Sequence, residues 1–520
     1  DQIPLPPQAR NDVIAFVEPN LASALEALQW FYPEAWRDLV RDSGGRPLFS
    51  VFVIPHTAAA RRGLRAALWS GVRREGPPTV DLPAVDVLSD PPQPLPLPAA
   101  LATPYAERLT GSLRLTQAGG YRFRLGATTL PGALYVEDWL VDAIGEGVAG
   151  EGIVRTSPDR TTLWLPEGVV NLRLERVVTD VALAYPVRIE WQPPGASDWQ
   201  PLPPDRLLPL TVPAGGMLAA YYDQDRIWGR PARLVRDLQV VPDTPAASGP
   251  YAVRWLGTLE IANAAVYRFR AHSPHAFRLW VGRQLVIDHW RLDDPTPQGG
   301  VIALAPGRVS VEVQYVNGGG ADVFALEWAT ADGEWQPLSV APLAWGQAEM
   351  MRAWAPLPAS APLALPVYAD RPGARWAAPR LEDLAPGAIR ARDQRWPQPQ
   401  RDANFRGGML KVGRVLYDHG VGVYGPTELE FVLDGRYTRL EGAVGVDRDT
   451  DGDGVAWFEV EVDGRLVWES GPRRVGDPAL PLGVDLTGGN RLILRTHEGS
   501  VIGPSDGGDW VDLYVLRAQR

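Results

Sequence analysis

The sequence predicts a mainly β protein built from several domains, and three observations lead to this fold class. The chain has 520 residues, enough for three or four domains at roughly 150 residues each. Its 53 glycines and 51 prolines are typical of short strands joined by turns. Most of it alternates apolar and polar residues with the period of a strand, and one block pattern occurs twice. We expect two consecutive copies of one β domain, a C-terminal antiparallel β-sandwich and a small N-terminal α/β unit.

Composition excludes several classes of function. The net charge of −11 argues against a nucleic-acid partner and against an anionic membrane surface, because both need a positive protein field. The chain has no cysteine, which excludes thiolate metal sites and thiol nucleophiles. No uninterrupted apolar run reaches the roughly 20 residues that span a bilayer, so we expect no membrane span within this chain.

Residues 1–78 are expected to form the small α/β unit. "DVIAFV" and "PLFSVFVIP" are typical of strands. "LASALEALQW" is typical of a helix capped by Asn20, and Pro33 should end it near Tyr32. "TAAARRGLRAALWSGV" (57–72) is expected to form a second helix.

An internal repeat covers residues 79–212 and 213–347. "GSLRLTQAGGYRFRL" at Gly111 aligns with "GTLEIANAAVYRFRA" at Gly257, and three further blocks align in the same order. Four blocks in one order indicate two copies of one fold. Alternation places "YRFRL" with its aromatic residues on one face and its arginines on the other, and leaves Trp280 and its counterpart Tyr135 on the opposite face from their apolar neighbours.

Residues 348–394 are rich in Pro, Arg and Ala and are expected to form a connector. Residues 395–520 alternate cleanly between turns of Gly, Asp and Asn, as in "VAWFEVEVDGRLVW" and "RLILRTHEG". This pattern predicts the antiparallel sandwich.

These segments resemble two known families. "GMLAAYYDQDRIWGRP", "YRFRA", "LWVGRQLVIDHW" and "LAPGRVSVEVQYVNGGGADVFALEW" resemble the protective-antigen-type (PA14) domain over 216–345, with a degenerate first copy. "YDHGVGVYGPTELEFVL", "WFEVEVDGRLVWESG", "LTGGNRLILRT" and "GGDWVDLYV" resemble the NPCBM family of carbohydrate-binding sandwiches over 395–518. The resemblance implies two consecutive β-barrel or β-sandwich domains followed by a jelly-roll-like β-sandwich. It also implies glycan-binding roles, and hence a polysaccharide or glycan as partner.

One departure from the protective-antigen pattern concerns calcium. Members that bind sugar through calcium carry adjacent aspartates where this chain has Pro274 and His275, and an aspartate where it has Gly282 in the second copy and Glu137 in the first. Calcium needs six to eight oxygen ligands, so we do not expect calcium-dependent sugar binding at these places.

An acidic stretch in the C-terminal region is a candidate for calcium. Asp447, Asp449, Asp451 and Asp453 have the alternating spacing of a calcium loop, in which every second residue turns toward one cation. However, Phe458 stands where such a loop has its bidentate glutamate. Calcium in the 447–453 loop is one interpretation, and a solvated acidic turn is the other.

One tryptophan is the leading candidate for sugar contact. Trp457 shares a strand face with Glu459 and Glu461, which suits a ring that stacks on the indole while its hydroxyls bond to the acids. The alternative is that Trp457 packs beneath a loop or another domain. Weaker candidates, with the same alternative, are Trp280, Tyr135, Trp290 and Tyr424. Structural roles are expected for His419, Trp510 and Asp512.

The leading hypothesis is a non-catalytic, extracytoplasmic carbohydrate-binding or adhesion protein. No metalloprotease, nucleophile-elbow or phosphate-loop motif occurs, so no catalytic residue is predicted. A second hypothesis is a structural component of a cell-surface layer, filament or complex, with self-association or other surface proteins as partners. A third is the soluble C-terminal region of a membrane glycosyltransferase, suggested by the start without Met and the N-terminal unit.

Overall fold

The fold is mainly β, as predicted, over the residues that the computed structural model describes. These residues are 11–18, 25, 28–29, 31–88, 97, 101–126, 130–144, 162–213, 215–242, 249–320, 323–357, 362–370, 380–391, 397–499 and 507–518.

An N-terminal sheet of three antiparallel strands comes first. It consists of β1 (Val13–Val17), β2 (Trp36–Arg41) and β3 (Pro47–Ile54), in the order β1-β3-β2. Leu25, Leu28 and Phe31 of the predicted first helix are helical, and the Tyr32 N–H still donates to the Leu28 carbonyl at 2.9 Å. Tyr32 itself is no longer helical, as Pro33 predicts. The expected cap, Asn20, lies outside the described residues.

The predicted second helix over 57–72 is wrong. Only α1 (His56–Ala59) is helical, and β4 (Leu64–Ser70) follows it. Leu64, Ala66 and Leu68 are fully buried at every second position, which is the period of a strand. Their packing in a sheet outweighs the helix propensity of an Ala-, Arg- and Leu-rich segment.

The first β unit (β4–β14) contains two packed sheets. The main sheet has the order β5-β4-β6-β11-β8-β9 with β14 also paired to β6, and the second has the order β10-β7-β12-β13. Because β4 pairs with β5, the boundary expected after residue 78 falls within one hairpin, and β4 belongs to this unit. The further strands are β5 (Val80–Val85), β6 (Tyr105–Leu115), β7 (Gly119–Leu125), β8 (Gly132–Val136), β9 (Trp139–Ile144), β10 (Leu163–Leu165), β11 (Gly168–Val178), β12 (Ile189–Gln192), β13 (Gln200–Pro201) and β14 (Leu207–Leu208).

The second β unit (β15–β25) repeats this arrangement strand for strand. Its strands are β15 (Met217–Tyr222), β16 (Arg233–Asp237), β17 (Tyr251–Ile261), β18 (Ala265–His272), β19 (Ala276–Val281), β20 (Gln284–His289), β21 (Gln298–Leu304), β22 (Gly307–Asn317), β23 (Ala325–Thr330), β24 (Gln336–Pro337) and β25 (Leu343–Ala344). The orders are β16-β15-β17-β22-β19-β20, with β25 on β17, and β21-β18-β23-β24. The internal repeat is therefore confirmed as a repeat of topology, and β4 and β5 are the opening strands that the sequence of the first copy conceals.

The 3₁₀ turns lie within the first and second β units, and an α-helix follows the second. Three 3₁₀ turns cover Val181–Leu183, Pro204–Arg206 and Leu338–Val340. Helix α2 (Gln347–Trp354) follows the second β unit.

The C-terminal sandwich (β26–β40) takes in part of the predicted connector. β26, β27 and β28 all come from 348–394, and β26 pairs in parallel with the last strand, β40. One sheet has the order β27-β26-β40-β32-β29 with β34 joining β40 to β38, and the other β28-β33-β39-β35-β36 with β37 on β35. The strands are β26 (Leu365–Ala369), β27 (Arg380–Leu384), β28 (Ala388–Ala391), β29 (Gln400–Arg401), β30 (Leu410–Val412), β31 (Val415–Tyr417), β32 (Gly420–Tyr424), β33 (Thr427–Val432), β34 (Arg439–Val446), β35 (Val455–Val462), β36 (Arg465–Glu469), β37 (Arg473–Arg474), β38 (Leu480–Asp485), β39 (Arg491–Glu498) and β40 (Gly507–Arg517).

The units are joined by a shared apolar cluster in addition to their own cores. Met350 of α2 packs there with Leu218 of β15 and with Met409 and Leu416 of the C-terminal sandwich. The Gln347 side chain accepts from the Trp164 N–H at 2.8 Å and donates to its carbonyl at 2.9 Å, which ties α2 to the first β unit. Burial of apolar surface from all three units favours a fixed arrangement.

Candidate functional site

The outward face of β35 carries the leading candidates. Trp457, Glu459 and Glu461 alternate with Phe458 and Val460, which are fully buried in the core of the sandwich. Trp457 is half-buried and stacks on its cross-strand neighbour His497, with ring centroids 5.1 Å apart and planes 16° apart. The indole is thus neither free in solvent nor sealed in the core.

Both neighbouring glutamates already have a cationic or protonatable partner. Glu459 Oε2 lies 2.9 Å from His497 Nε2, and Glu461 accepts from Arg495 Nη1 at 2.6 Å. Arg495 continues the row across the sheet to Glu428 at 2.8 Å. A ligand on this face would meet an indole at one end of an ordered row of ion pairs.

The weaker aromatic candidates divide into one partly exposed ring and three buried ones. Trp280 is half-buried on the outward side of β19. Tyr135 is 5% exposed and the Arg173 guanidinium lies 3.9 Å from its ring centroid, while Tyr424 is 4% exposed against Phe405. These two rings offer no open face to a ligand.

Trp290 has a structural position between two units. It is 7% exposed, and its Nε1 donates to Asp418 Oδ1 of the C-terminal sandwich at 3.1 Å. Arg278 covers its ring at 4.2 Å from the centroid and pairs with Asp418 at 2.5 Å. Trp290 therefore packs against another domain, which is the alternative stated above for the aromatic candidates.

The aspartates of the acidic loop differ in burial and in partners. Asp447 is fully buried, whereas Asp451 and Asp453 are exposed. Among the described residues, no three His, Cys, Asp or Glu side chains gather where they could hold a metal ion. This arrangement favours the second interpretation, a turn without calcium, because Asp449 and Asp451 bond to protein donors.

A lysine ammonium lies beside the acidic loop and pairs with one of its aspartates. Lys411 Nζ, 5% exposed as a side chain, donates to Asp449 at 2.7 Å and also pairs with Asp225 of the second β unit. Asn404 Nδ2 donates to Asp449 at 2.8 Å and to Asp447 at 3.2 Å. Burial lowers the pKa of Lys411, but the two carboxylates outweigh burial and raise that pKa above its ordinary value.

Asp447 and Asp509 form a buried carboxyl pair next to this lysine. Burial raises the pKa of Asp447 to about 6, and burial together with the charge of Asp447 raises the pKa of Asp509 further above its ordinary value. The Lys411 N–H donates to Asp447 at 3.0 Å and to Asp509 at 3.2 Å. Two carboxyls this close share a proton more readily than they both ionise.

The expected structural residues have structural contacts. Trp510 is 1% exposed and its Nε1 donates to Thr496 Oγ1 at 2.9 Å. The Asp512 N–H donates to the His419 carbonyl at 2.8 Å. The hydrogen bond with Asp402, Nδ1 to Oδ1 3.5 Å, raises the pKa of His419.

Glu137 also joins two units. It accepts from the Asn171 N–H at 2.7 Å and lies 3.4 Å from Arg236 of the second β unit. Burial raises its pKa. The carboxylate that stands where the protective-antigen pattern has aspartate is thus engaged in the contact between the two copies.

Sequence reasoning missed a pocket on the second β unit. It lies in the loop between β15 and β16, has a volume of about 250 Å³ and is lined by Gln224, Arg226, Trp228 and Arg230 among others. Trp228 stands in the segment "DQDRIWGRP", whose resemblance to the protective-antigen pattern indicated fold and not a site. The partnership of Lys411 with Asp225 was also missed, although a single lysine in 520 residues was a signal.

The strand topology and these sites define a chain of linked β domains, and comparison with known families identifies two of them. Residues 230–336 match the model of the PA14 domain, and residues 379–515 match that of the NPCBM/NEW2 domain. The chain therefore contains a PA14 domain followed by an NPCBM domain, as the sequence resemblance predicts. The two matches lie in the second β unit and the C-terminal sandwich.

Two curated relatives and two solved structures illustrate the likeness. Alpha-1,3-galactosidase B of Akkermansia muciniphila is 30% identical over 115 residues, which are 22% of this chain and 14% of that protein. An anti-sigma-I factor of Acetivibrio thermocellus is 29% identical over 84 residues, 16% of this chain and 13% of that protein. A CBM51 of Clostridium perfringens in complex with methyl-galactose is 26% identical and covers 25% of this chain and 94% of its own, with a TM-score of 0.24. A PA14 sugar-binding domain from an RTX adhesin is 18% identical and covers 25% of this chain and 99% of its own, with a TM-score of 0.20. The chain thus spans only about a seventh of the length of the curated relatives that it matches.

Proposed function

We propose that this chain is a non-catalytic carbohydrate-binding protein that acts outside the cytoplasm, by adhesion to a cell surface or a polysaccharide. The PA14 and NPCBM domains support a carbohydrate-binding role. Both are non-catalytic domain types, which agrees with the lack of a catalytic motif in the sequence. None of the helices among the described residues combines the length and apolarity that crossing a bilayer requires.

The observation that carries the proposal is the half-buried Trp457 on the outward face of the NPCBM domain. An indole that keeps part of its ring surface in contact with water gains free energy when the apolar face of a sugar covers it. His497 fixes the ring by stacking, and Glu459 stands two residues away to accept a hydroxyl hydrogen bond. A preorganised platform of this kind loses little entropy on binding.

A glycan array on the full chain, followed by calorimetric titration of the best ligand, tests the proposal. We expect Trp457→Ala to weaken binding about tenfold, about 1.4 kcal/mol. Trp335→Ala is the matched control, since Trp335 is also half-buried and contacts charged side chains, Arg268 and Arg270, but lies on the second β unit. Undiminished binding by the Trp457 variant would reject this site, and failure to bind any glycan would reject the function.

A second candidate function, assembly into a surface layer or filament, is favoured by the N-terminal sheet. Ile14 is 57% exposed and Trp36 is 59% exposed, and both pair with Val53, so they lie in one row on one face. Phe16, 67% exposed, extends this apolar face. A second copy of the chain would bury it. Light scattering on the full chain and on Phe16→Ser tests this candidate, because a monomer at all concentrations would exclude self-assembly.

A further inference from the structure

The pocket between β15 and β16 has the dimensions and the residues of a small-ligand site. Its volume of about 250 Å³ is near the lower end of small-molecule sites, which start at roughly 300 Å³. Tyr222, Asp223 and Gln224 line it together with Arg226, Trp228 and Arg230. It therefore combines an aromatic surface, an amide and two guanidinium groups around a space that suits a single sugar ring.

The indole of Trp228 is held in a fixed orientation. Its Nε1 donates to Gln224 Oε1 at 3.0 Å, and the Arg226 guanidinium lies 4.9 Å from its ring centroid. Trp228 is half-buried, so part of the ring remains open. The hydrogen bond and the cation–π contact together preorganise the aromatic side of the pocket.

The two arginines of the pocket differ from Arg254 and Arg270 of the same β unit. Arg254 forms a bidentate pair with Glu312, and Arg270 pairs with Glu327 at 2.6 Å. Within the described ranges, by contrast, no carboxylate lies within the 4.0 Å of an ion pair from Arg226 or Arg230. Burial lowers the pKa of Arg226, an effect that nearby carboxylates only partly offset. A half-buried cation that lacks an ion pair favours an anionic ligand.

Three acids act on the charge of Arg226, and each of them has a partner of its own. They are Asp402, Asp225 and Asp418. Asp225 pairs with Lys411, Asp418 with Arg278, and Asp402 bonds to His419. Among the lining residues themselves only Asp223 is acidic, so the pocket is locally positive in a chain of net charge −11.

The loop that carries the pocket is anchored at two points, one on each side of Arg226 and Trp228. Asp225 accepts from the Met409 N–H at 3.3 Å in addition to its pair with Lys411. Gly229 and Leu357 exchange two backbone hydrogen bonds of 2.9 and 3.0 Å. These contacts hold Arg226 and Trp228 between two fixed points, so a ligand would not have to order the loop.

We infer that this pocket binds a sugar residue that bears an anionic substituent, a carboxylate or a sulfate, without calcium. The inference rests on the proposed carbohydrate-binding function and gives it a second site with its own ligand class. The sugar ring packs against Trp228, and the anionic group bonds to Arg226 and Arg230, whose planar guanidinium groups match carboxylate and sulfate oxygens in pairs. Neutral sugars lack this interaction and bind here more weakly.

Calorimetric titration of the full chain in the presence of EDTA tests this site. The probes are trigalacturonate for the carboxylate, a chondroitin sulfate tetrasaccharide for the sulfate, and neutral galactotriose as the uncharged counterpart. We expect at least one acidic probe to bind at least tenfold more tightly than galactotriose, and the affinity to fall as salt is added. The acidic probe that binds identifies the anionic group, and equal binding of neutral and acidic probes would overturn the inference.

Variants separate this pocket from the surface around Trp457. Arg226→Gln and Trp228→Ala should each lower the affinity for the acidic probe at least tenfold. Trp335→Ala and Trp457→Ala should leave that affinity unchanged. Unaltered thermal midpoints show that the variants fold. If Trp457→Ala loses binding of the acidic probe and Arg226→Gln does not, the pocket is not the binding site, and the proposed function still stands. Absence of binding by both acidic probes would also overturn it, while any neutral glycan bound through Trp457 would still support the proposed function.

Discussion

Replacing Lys411 by methionine should loosen the contact between the PA14 and NPCBM domains. Methionine keeps most of the aliphatic length but removes the ammonium that pairs with Asp225 and Asp449. The Asp225 side chain is 7% exposed and that of Asp449 is 30% exposed, so the first carboxylate is left in a dry environment and the second is partly hydrated.

The expected cost is about 3 kcal/mol. Removing one partner of a buried pair costs about 3–5 kcal/mol, and the exposure of Asp449 together with its bond from Asn404 places this case at the lower end. Most of the cost arises from the uncompensated charge of Asp225. The double variant Lys411→Met/Asp225→Asn should therefore recover much of the loss, because asparagine can still accept from the Met409 N–H.

Hydrogen exchange of the segment around β30 measures this effect. In a chain of several domains a global unfolding free energy is not well defined, whereas local opening is. A loss of 3 kcal/mol should speed exchange there about 150-fold, with little change in the N-terminal sheet. A single variant that exchanges less than threefold faster, or a double variant less protected than the single one, would refute the reasoning.

Three further predictions concern the NPCBM domain. The bond with Asp402 raises the pKa of His419, so the folded state favours the protonated ring. The resulting contribution to the stability of the folded state is complete below about pH 6.5 and is lost as the pH rises through the folded-state pKa. His419→Gln should flatten that part of a plot of thermal midpoint against pH, and an unchanged slope would count against it. Added calcium should leave the thermal midpoint unaltered, because Lys411 and Asn404 already bond to both oxygens of Asp449; a rise of several degrees would contradict this. Gly422→Ala should cost about 2 kcal/mol and speed hydrogen exchange around β32 about 30-fold, since a Cβ would lie 2.3 Å from a backbone oxygen, whereas Gly249→Ala, with nothing within 4 Å, should leave exchange unchanged. Equal exchange rates around β32 in these two variants would show that the backbone shifts to accept the Cβ.

The sequence predicted what depends on local periodicity and on repetition. Tyr121 and Phe123 are buried while Arg122 and Arg124 point outward, as the alternation in "YRFRL" requires. Two copies of one block order also predicted two copies of one strand topology. These features are encoded within a few residues of each other, so a single sequence reveals them.

The sequence failed where distant partners decide the outcome. The segment at 57–72 has helix-forming residues, yet part of it forms β4, because it pairs with β6. The spacing of the acidic loop gave no sign that Lys411 and Asn404 would bond to Asp449. Trp290 was predicted as a candidate for sugar contact, yet its Nε1 donates to Asp418, which lies 128 residues further along the chain. Neither spacing nor propensity carries information about such pairs.

The parallel pairing of β26 with β40 has a practical consequence for anyone who wishes to isolate the NPCBM domain. The family match begins at residue 379, but β26 ends at Ala369 and lies between β27 and β40. A fragment cut at the family boundary would expose one backbone edge of its last strand, with unpaired N–H and C=O groups that can recruit another molecule. Recombinant fragments that begin before Leu365 should stay soluble, and shorter ones should aggregate.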